Sequence, residues 1–375
     1  MRSAAFLRDL CVKQVLDDLF LISSTMEKKT KTELPDAFLW LKDAPPQPIA
    51  TERFTAEQMI DCDACHRKNP PTRLACMYCG AKLNVSEENA AFVRPMLRKL
   101  ENWEKGWNVV WIPPPTQDVT KENPKEELGQ VAKFLRLERN ELDKILSSGQ
   151  ALPLARAESS EEADVIVKYL QNHNLTSAVV PDAELQIEAL PKRVRSLEFG
   201  GSYLNLFLLN RAEEQICLFY AEIKVLVFGA LLERQVENRE RRKSEERFEI
   251  KDSREISSDE SILDFYPQGD PTGYRISMRN FDFSCLGDEK KMLASENFKI
   301  LLEKLRARAP NAVFDDSYYK IRPALNLIWQ PEQRNESRGW MRDGVGKFSI
   351  ENRLTVSNNS QFMRYSRMLY QLKGR

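Results

Sequence analysis

Trp107-Asn-Val-Val-Trp-Ile112, followed at once by Pro113-Pro114-Pro115, is the stretch on which the fold turns. A short apolar run stopped by residues that cannot extend a ladder reads as a buried strand. Downstream the apolar period changes. Residues 125 to 137 place Leu128, Val131, Ala132 and Leu135 on one helical face, and Asn140 to Leu146 form a second helix closed by Gly149. Leu152-Pro-Leu-Ala-Arg-Ala157 returns to strand. Ser159 to Asn172 is a helix with Ser159 or Ser160 capping ahead of Glu161-Glu162, and Thr176 to Val180 is a last strand. The string is β-α-α-β-α-β. Upstream of it, residues 86 to 105 read as a helix, with Ser86 as N-cap, Phe92, Met96, Leu97 and Leu100 on one face, and Gly106 as the turn that ends it.

That order, with Ala163, Val167 and Leu170 on one helical face, resembles over residues 107–182 the fold shared by the Clp protease adaptor ClpS and the C-terminal domain of the ribosomal stalk protein. The resemblance implies a small peptide- or protein-docking module. Adaptors of that family hold a substrate's N-terminal ammonium with an Asn-Asp pair after the first strand. Pro113-Pro114-Pro115 stand there instead, so recognition of N-terminal residues is not implied.

Pro181 to Pro191 is a crossover into a β-rich second half. Strand signals recur at 194–199, 203–209, 216–220, 223–232, 262–266 and 274–283, each a β-branched or aromatic run between turns. Glu233 to Glu255 is charge-rich and balanced, and reads as a solvated helix or an extended hairpin loop. A long helix, 289–309, with Met292, Phe298, Leu301, Leu302 and Leu305 inward, stops before Pro310. Strands closed by one helix, with the run Phe219-Tyr-Ala-Glu-Ile-Lys-Val-Leu-Val-Phe-Gly229, resemble a pleckstrin-homology-like barrel over 192–309. Asp259, Glu260, Asp264 and Asp282 alternate with apolar residues there and read as outward strand positions. The stretch 310–375 is a basic and aromatic tail. From Arg334 onward nine basic residues face three acids, with Trp340, Phe348, Phe362, Tyr365 and Tyr370 interleaved. The aromatics are expected to pack on the barrel while the arginines stay solvated.

One segment dictates a chemistry by spacing. Cys62-Asp-Ala-Cys65 and Cys76-Met-Tyr-Cys79 are two Cys-x-x-Cys knuckles, and four thiolates can close tetrahedrally on one zinc ion with no position left for a reacting water. The implied cofactor is one structural zinc, held in a zinc ribbon over residues 56–84. With Asn69 between the knuckles, the pattern resembles the Ran-binding-protein type of zinc finger, whose members bind single-stranded RNA or ubiquitin. The family's tryptophan before the first cysteine is Ile60 here. His66-Arg67 replaces the Thr-Phe of the ubiquitin binders, and Arg73 alone matches the arginines of the RNA binders. His66, Arg67, Arg73 and Tyr78 are the candidate partner-contacting residues.

The chain has 375 residues, enough for several domains, and its 56 basic and 56 acidic side chains leave a net charge of zero. No global field favours nucleic acid or a membrane. Residues 1–25 carry apolar positions at helical spacing broken by charges, and read as an N-terminal extension ahead of Met26 or as an amphipathic partner or membrane-surface helix. Residues 26–55 form a proline-rich linker carrying the apolar peptide around Phe38, Trp40 and Leu41. Cys11, Cys217 and Cys285 sit singly in apolar surroundings, as buried free thiols do, which suggests a reducing, cytoplasmic compartment. Only His66 and His173 exist, and no nucleophile lies in pattern with a base, so no enzyme is expected unless the fold sets Cys217 or Cys285 beside His173. The whole reads as a multi-domain α+β protein: a zinc ribbon, a helix and α/β module at 86–182, and a β-rich domain at 192–309. Its expected function is that of a non-enzymatic adaptor for a protein partner. The alternative is single-stranded RNA binding through Arg67, Lys68 and Arg73 together with the basic tail.

Overall fold

The computed structural model describes residues 54–84, 97, 100–114, 125–209, 215–242, 248–344 and 347–373. The expectations for residues 1–53, and for most of the helix at 86–105, lie outside them. Where that helix was to end, residues 100–105 are turn and coil.

The α/β elements follow the order the sequence sets. Strand β3 (Trp107–Trp111) is the middle of a three-stranded sheet, flanked antiparallel by β4 (Leu152–Ala157) and β5 (Ser177–Pro181). The first two strands, β1 (Ile60–Asp61) and β2 (Lys68–Asn69), belong to the cysteine finger. Helices α1 (Lys125–Phe134), α2 (Arg139–Ser147) and α3 (Ser160–Asn172) bury Val131, Leu142, Ile145, Ala163, Ile166 and Leu170 against the sheet. Ser159 caps α3 by accepting from the Glu162 amide at 3.2 Å. A single turn, α4 (Asp182–Leu185), opens the crossover.

The second half is one curled nine-stranded sheet, a half-barrel. It contains β6 (Lys192–Phe199), β7 (Tyr203–Leu208), β8 (Gln215–Phe219), β9 (Ile223–Arg242), β10 (Phe248–Pro267), β11 (Tyr274–Ser277), β12 (Val313–Asp315), β13 (Glu332–Gly344) and β14 (Lys347–Ser357). Its order is β13-β14-β9-β10-β11-β6-β7-β8, with β12 pairing β9 in parallel. Along β9 and β10 successive side chains enter different cores. Val225, Val227, Ile262 and Tyr266 face one, and Leu226, Leu263 and Phe265 the other. A strand buried on both faces needs an unbroken apolar run, which is why Ile223 to Leu232 shows no alternation.

One face is covered by α5 (Ala294–Arg308) through Phe298, Leu301 and Leu305. The other receives α6 (Tyr318–Ile328) and α7 (Asn359–Lys373). Every residue of α7 from Ser360 to Tyr370 is buried. A helix enclosed all round sits inside a protein, not on it, and α7 lies between the sheet and the α/β module. At its start Asn358 accepts from the Leu232 amide at 2.7 Å and donates to the Ala230 carbonyl at 3.0 Å, pinning it to β9. Phe362 occupies the space over Gly229 that any Cβ there would fill.

The polar groups of α7 bind the two halves together. Asp182 accepts from Arg156 Nε at 2.8 Å, from Asn108 Nδ2 at 2.9 Å and from the Gly106 amide at 2.9 Å, while Arg364 pairs with its second oxygen. Burial pulls Arg364 below the ordinary guanidinium value, and Asp182 counters it. Arg367 donates to the carbonyls of Leu185 (3.0 Å), Gln186 and Ala189 (2.6 Å). Asp264 holds Arg275 through two bonds of 2.6 and 2.7 Å, and Arg275 reaches Asn359 at 2.6 Å.

Several expectations are corrected here. Arg364 and Arg367 are buried, 4% and 1% exposed, so these two tail arginines are not solvated. Residues 310–375 supply three strands of the sheet as well as α7. Within the run 233–255, residues 233–242 and 248–255 are strand, not solvated helix, because cross-strand pairing of their opposite charges extends β9 and β10. Asp264 points inward and is fully buried, since Arg275 neutralises it. Met292 lies outside α5 and is exposed, and Cys217 is exposed on β8. Among the described residues no helix is long and apolar enough to cross a membrane.

Removing the carboxylate at the junction strands two buried guanidiniums. Asp182→Ala is therefore expected to lower stability by about 3–5 kcal/mol, the scale for breaking a buried ion pair from one side, in urea unfolding followed by tryptophan fluorescence.

Candidate metal centre

The finger is the same turn made twice. In the first knuckle the His66 amide donates to the Cys62 carbonyl at 2.7 Å and the Cys62 amide to Arg67 at 3.1 Å. In the second the Gly80 amide donates to the Cys76 carbonyl at 2.9 Å and the Cys76 amide to Ala81 at 2.8 Å. The offsets are identical, so His66 stands where Gly80 stands. Both have left-handed backbone, φ 55° and 74°, a conformation that glycine adopts freely and histidine at some cost.

The turns bring four sulfurs together. Cys62 Sγ lies 3.6 Å from Cys79 Sγ, Cys65 Sγ lies 3.5 Å from Cys76 Sγ, and all four are within 4.8 Å of one another. A tetrahedral ion with metal–sulfur bonds of about 2.3 Å would space its sulfurs by roughly 3.8 Å. The residues fit the group: Cys62, Cys65, Cys76 and Cys79 can hold one metal ion in a closed shell. His66 is exposed and is not one of the four.

Asn69 joins the knuckles and is completely buried. Its Oδ1 accepts from the Met77 amide at 2.9 Å, and its Nδ2 donates to the Arg67 carbonyl at 2.8 Å and toward Cys76 Sγ at 3.4 Å. The Tyr78 amide also points at that sulfur, at 3.4 Å. Burial opposes the Cys76 thiolate, but the amides of Tyr78 and Cys79, with Asn69 and the Cys65 thiol, bring its pKa down to about 6. Ile60 and Leu83 close the apolar side as core residues.

The opposite side is open. Arg67 lies over the Tyr78 ring at 4.8 Å, Tyr78 and Met77 are each about half exposed, and His66 and Arg73 are exposed. Of the four candidate contact residues, Arg67 and Tyr78 are in contact, and all four are exposed. Met77 was not legible as part of it, since in the sequence it is only a spacer residue. Asn69 marked a pattern there, and its role as the tie between knuckles follows from the geometry. Lys82 docks the finger on α3 by an ion pair to Glu161 at 2.9 Å, which draws that carboxyl down to about 2. His173, at the end of α3, places its Nδ1 2.9 Å from the Tyr169 carbonyl and packs on the Tyr169 ring. Neither Cys217 nor Cys285 is among these partners.

No family model matches the chain, and no curated protein or solved structure is found similar to it.

Asn69→Ala keeps all four sulfurs and removes the tie. It is expected to weaken metal retention by about 10- to 100-fold, the usual cost of losing a group that orients ligands, as read by competition with a chromogenic chelator. Cys76→Ser should release the metal outright and unfold the finger.

Proposed function

We propose that the chain is a zinc-ribbon protein acting as a non-enzymatic adaptor for a protein partner in the cytoplasm. The observation that carries the reading is the closed four-sulfur shell with exposed side chains on the turns it fixes. Four thiolates of this spacing suit zinc, and a filled shell serves structure, not catalysis. Met77, Tyr78 and Arg67 offer the aromatic, sulfur and guanidinium groups that anchor protein interfaces. The Lys82–Glu161 ion pair links the finger to α3 of the α/β module, which on this reading serves as its base.

The stacked Arg67–Tyr78 pair also favours a second reading, single-stranded RNA, because a ring and a guanidinium can sandwich a base. In that case Arg67, Lys68 and Arg73 supply the phosphate contacts, while Arg364 and Arg367 are committed to the interior.

Affinity capture with intact protein, Cys76→Ser and Tyr78→Ala separates these readings. A protein retained by the intact chain and lost with both variants supports the adaptor, and retention by Cys76→Ser refutes a role for the finger. Binding of a labelled RNA oligonucleotide that falls steeply with salt and with Arg73→Ala supports the second reading.

A further inference from the structure

The strand β13 ends the sheet. Among the described residues it bonds to β14 on one side and to no strand on the other, and all of Glu332 to Gly339 is exposed. Such an edge is a template for another strand unless something blunts it. Like charges along it would do so. Here the signs alternate instead: Glu332, Arg334, Glu336 and Arg338 are separated by Gln333, Asn335 and Ser337. Arg334 pairs along the strand with Glu336 at 2.9 Å and Arg338 reaches Glu351 of β14 at 3.3 Å, yet Arg334, Glu336 and Arg338 keep 80%, 46% and 57% of their side-chain surface in solvent. The flat part of the strand stops at a bulge between Ser337 and Trp340, where Gly339 has φ 73°. Six residues, Glu332 to Ser337, remain, spanning roughly 20 Å at about 3.3 Å each.

We infer that β13 pairs antiparallel with β13 of a second copy of this chain, about a two-fold axis through Asn335. The register follows from charge. Only alternate residues of an edge strand direct their N–H and C=O outward, so two identical edges pair antiparallel with one residue on the axis. With Arg334 on the axis, arginine faces arginine and Glu332 faces Glu336. With Glu336 there, glutamate faces glutamate and Arg334 faces Arg338. With Asn335 there, Arg334 faces Glu336 and symmetry doubles the pair, with Glu332 coming opposite Arg338 only where the bulge begins. Gln333 then meets Ser337, and the two Asn335 amides meet each other. Axes at Gln333 or Ser337 shorten the overlap. Opposite charges directly across an antiparallel pair stabilise it and like charges oppose it, so the sequence of this edge selects itself in one register.

Sedimentation velocity of the full chain, loaded with zinc, tests this. The unchanged protein is expected to form a dimer that weakens as salt rises. Arg334→Glu or Glu336→Arg alone should raise the dimer dissociation constant about tenfold or more, and R334E/E336R together should return it to within about threefold of the original. Asn335→Cys should yield a disulfide-linked dimer under mild oxidation, because residues on the axis lie within disulfide reach, whereas Gln333→Cys should link no more than the unchanged protein. Metal content and thermal melting confirm that each variant is folded. A monomer at every concentration overturns the inference. So does a dimer indifferent to the single charge reversals, or an Asn335→Cys protein that does not cross-link.

Discussion

Asp182 is the charge on which the two halves of the molecule meet. It sits at the end of β5 and is approached by Arg156 of β4, Asn108 of β3 and Arg364 of α7. Two guanidiniums share one carboxylate in a buried site, so neither can be spared its partner without leaving charge in a low-dielectric interior. Asn108 passes the arrangement on to α6 by accepting from Trp329 Nε1 at 2.9 Å. Arg367 solves a similar problem without an acid, using carbonyls at the end of α4 where the left-handed Gln186 frees them. Directional polar contacts of this kind fix which face of α7 meets which element, which apolar packing alone leaves looser.

The α/β half was largely legible. Its strands and helices are short, bounded by proline, glycine and serine, and switch period cleanly between 2 and 3.6. The sheet that follows was legible as strands and not as a topology. Ile223 to Leu232 announced a buried strand, but the charged run after it resembles a solvated segment until its partners are known. Arg239 and Glu237 find Glu351 and Arg353 opposite them on β14, more than a hundred residues away. Asp264 misled for the same reason: its neutralising Arg275 lies on another strand, and single-chain alternation says nothing about which face is buried.

The metal site shows the opposite balance. Knuckle spacing alone identified the four sulfurs, because Cys-x-x-Cys turns are local and do not depend on a distant partner. What the spacing did not reveal is the repetition of the turn, with His66 in a glycine-like role, and the use of Asn69 to tie one turn to the other. Both are backbone facts.

The position of α7 bears on how the chain comes to be folded at all. During vectorial synthesis a nascent chain emerges from its first residue onward, and early domains ordinarily condense before later ones are made. Here the face of β9 and β10 that holds Val225, Val227 and Tyr266 is shared by α6 and α7, so its covering is not complete until residues 359–373 have left the ribosome. The α/β half waits equally long for Arg364. Folding of both halves is thereby made a late, joint event, with part of an apolar sheet face open from the completion of β10 until the last helix is made.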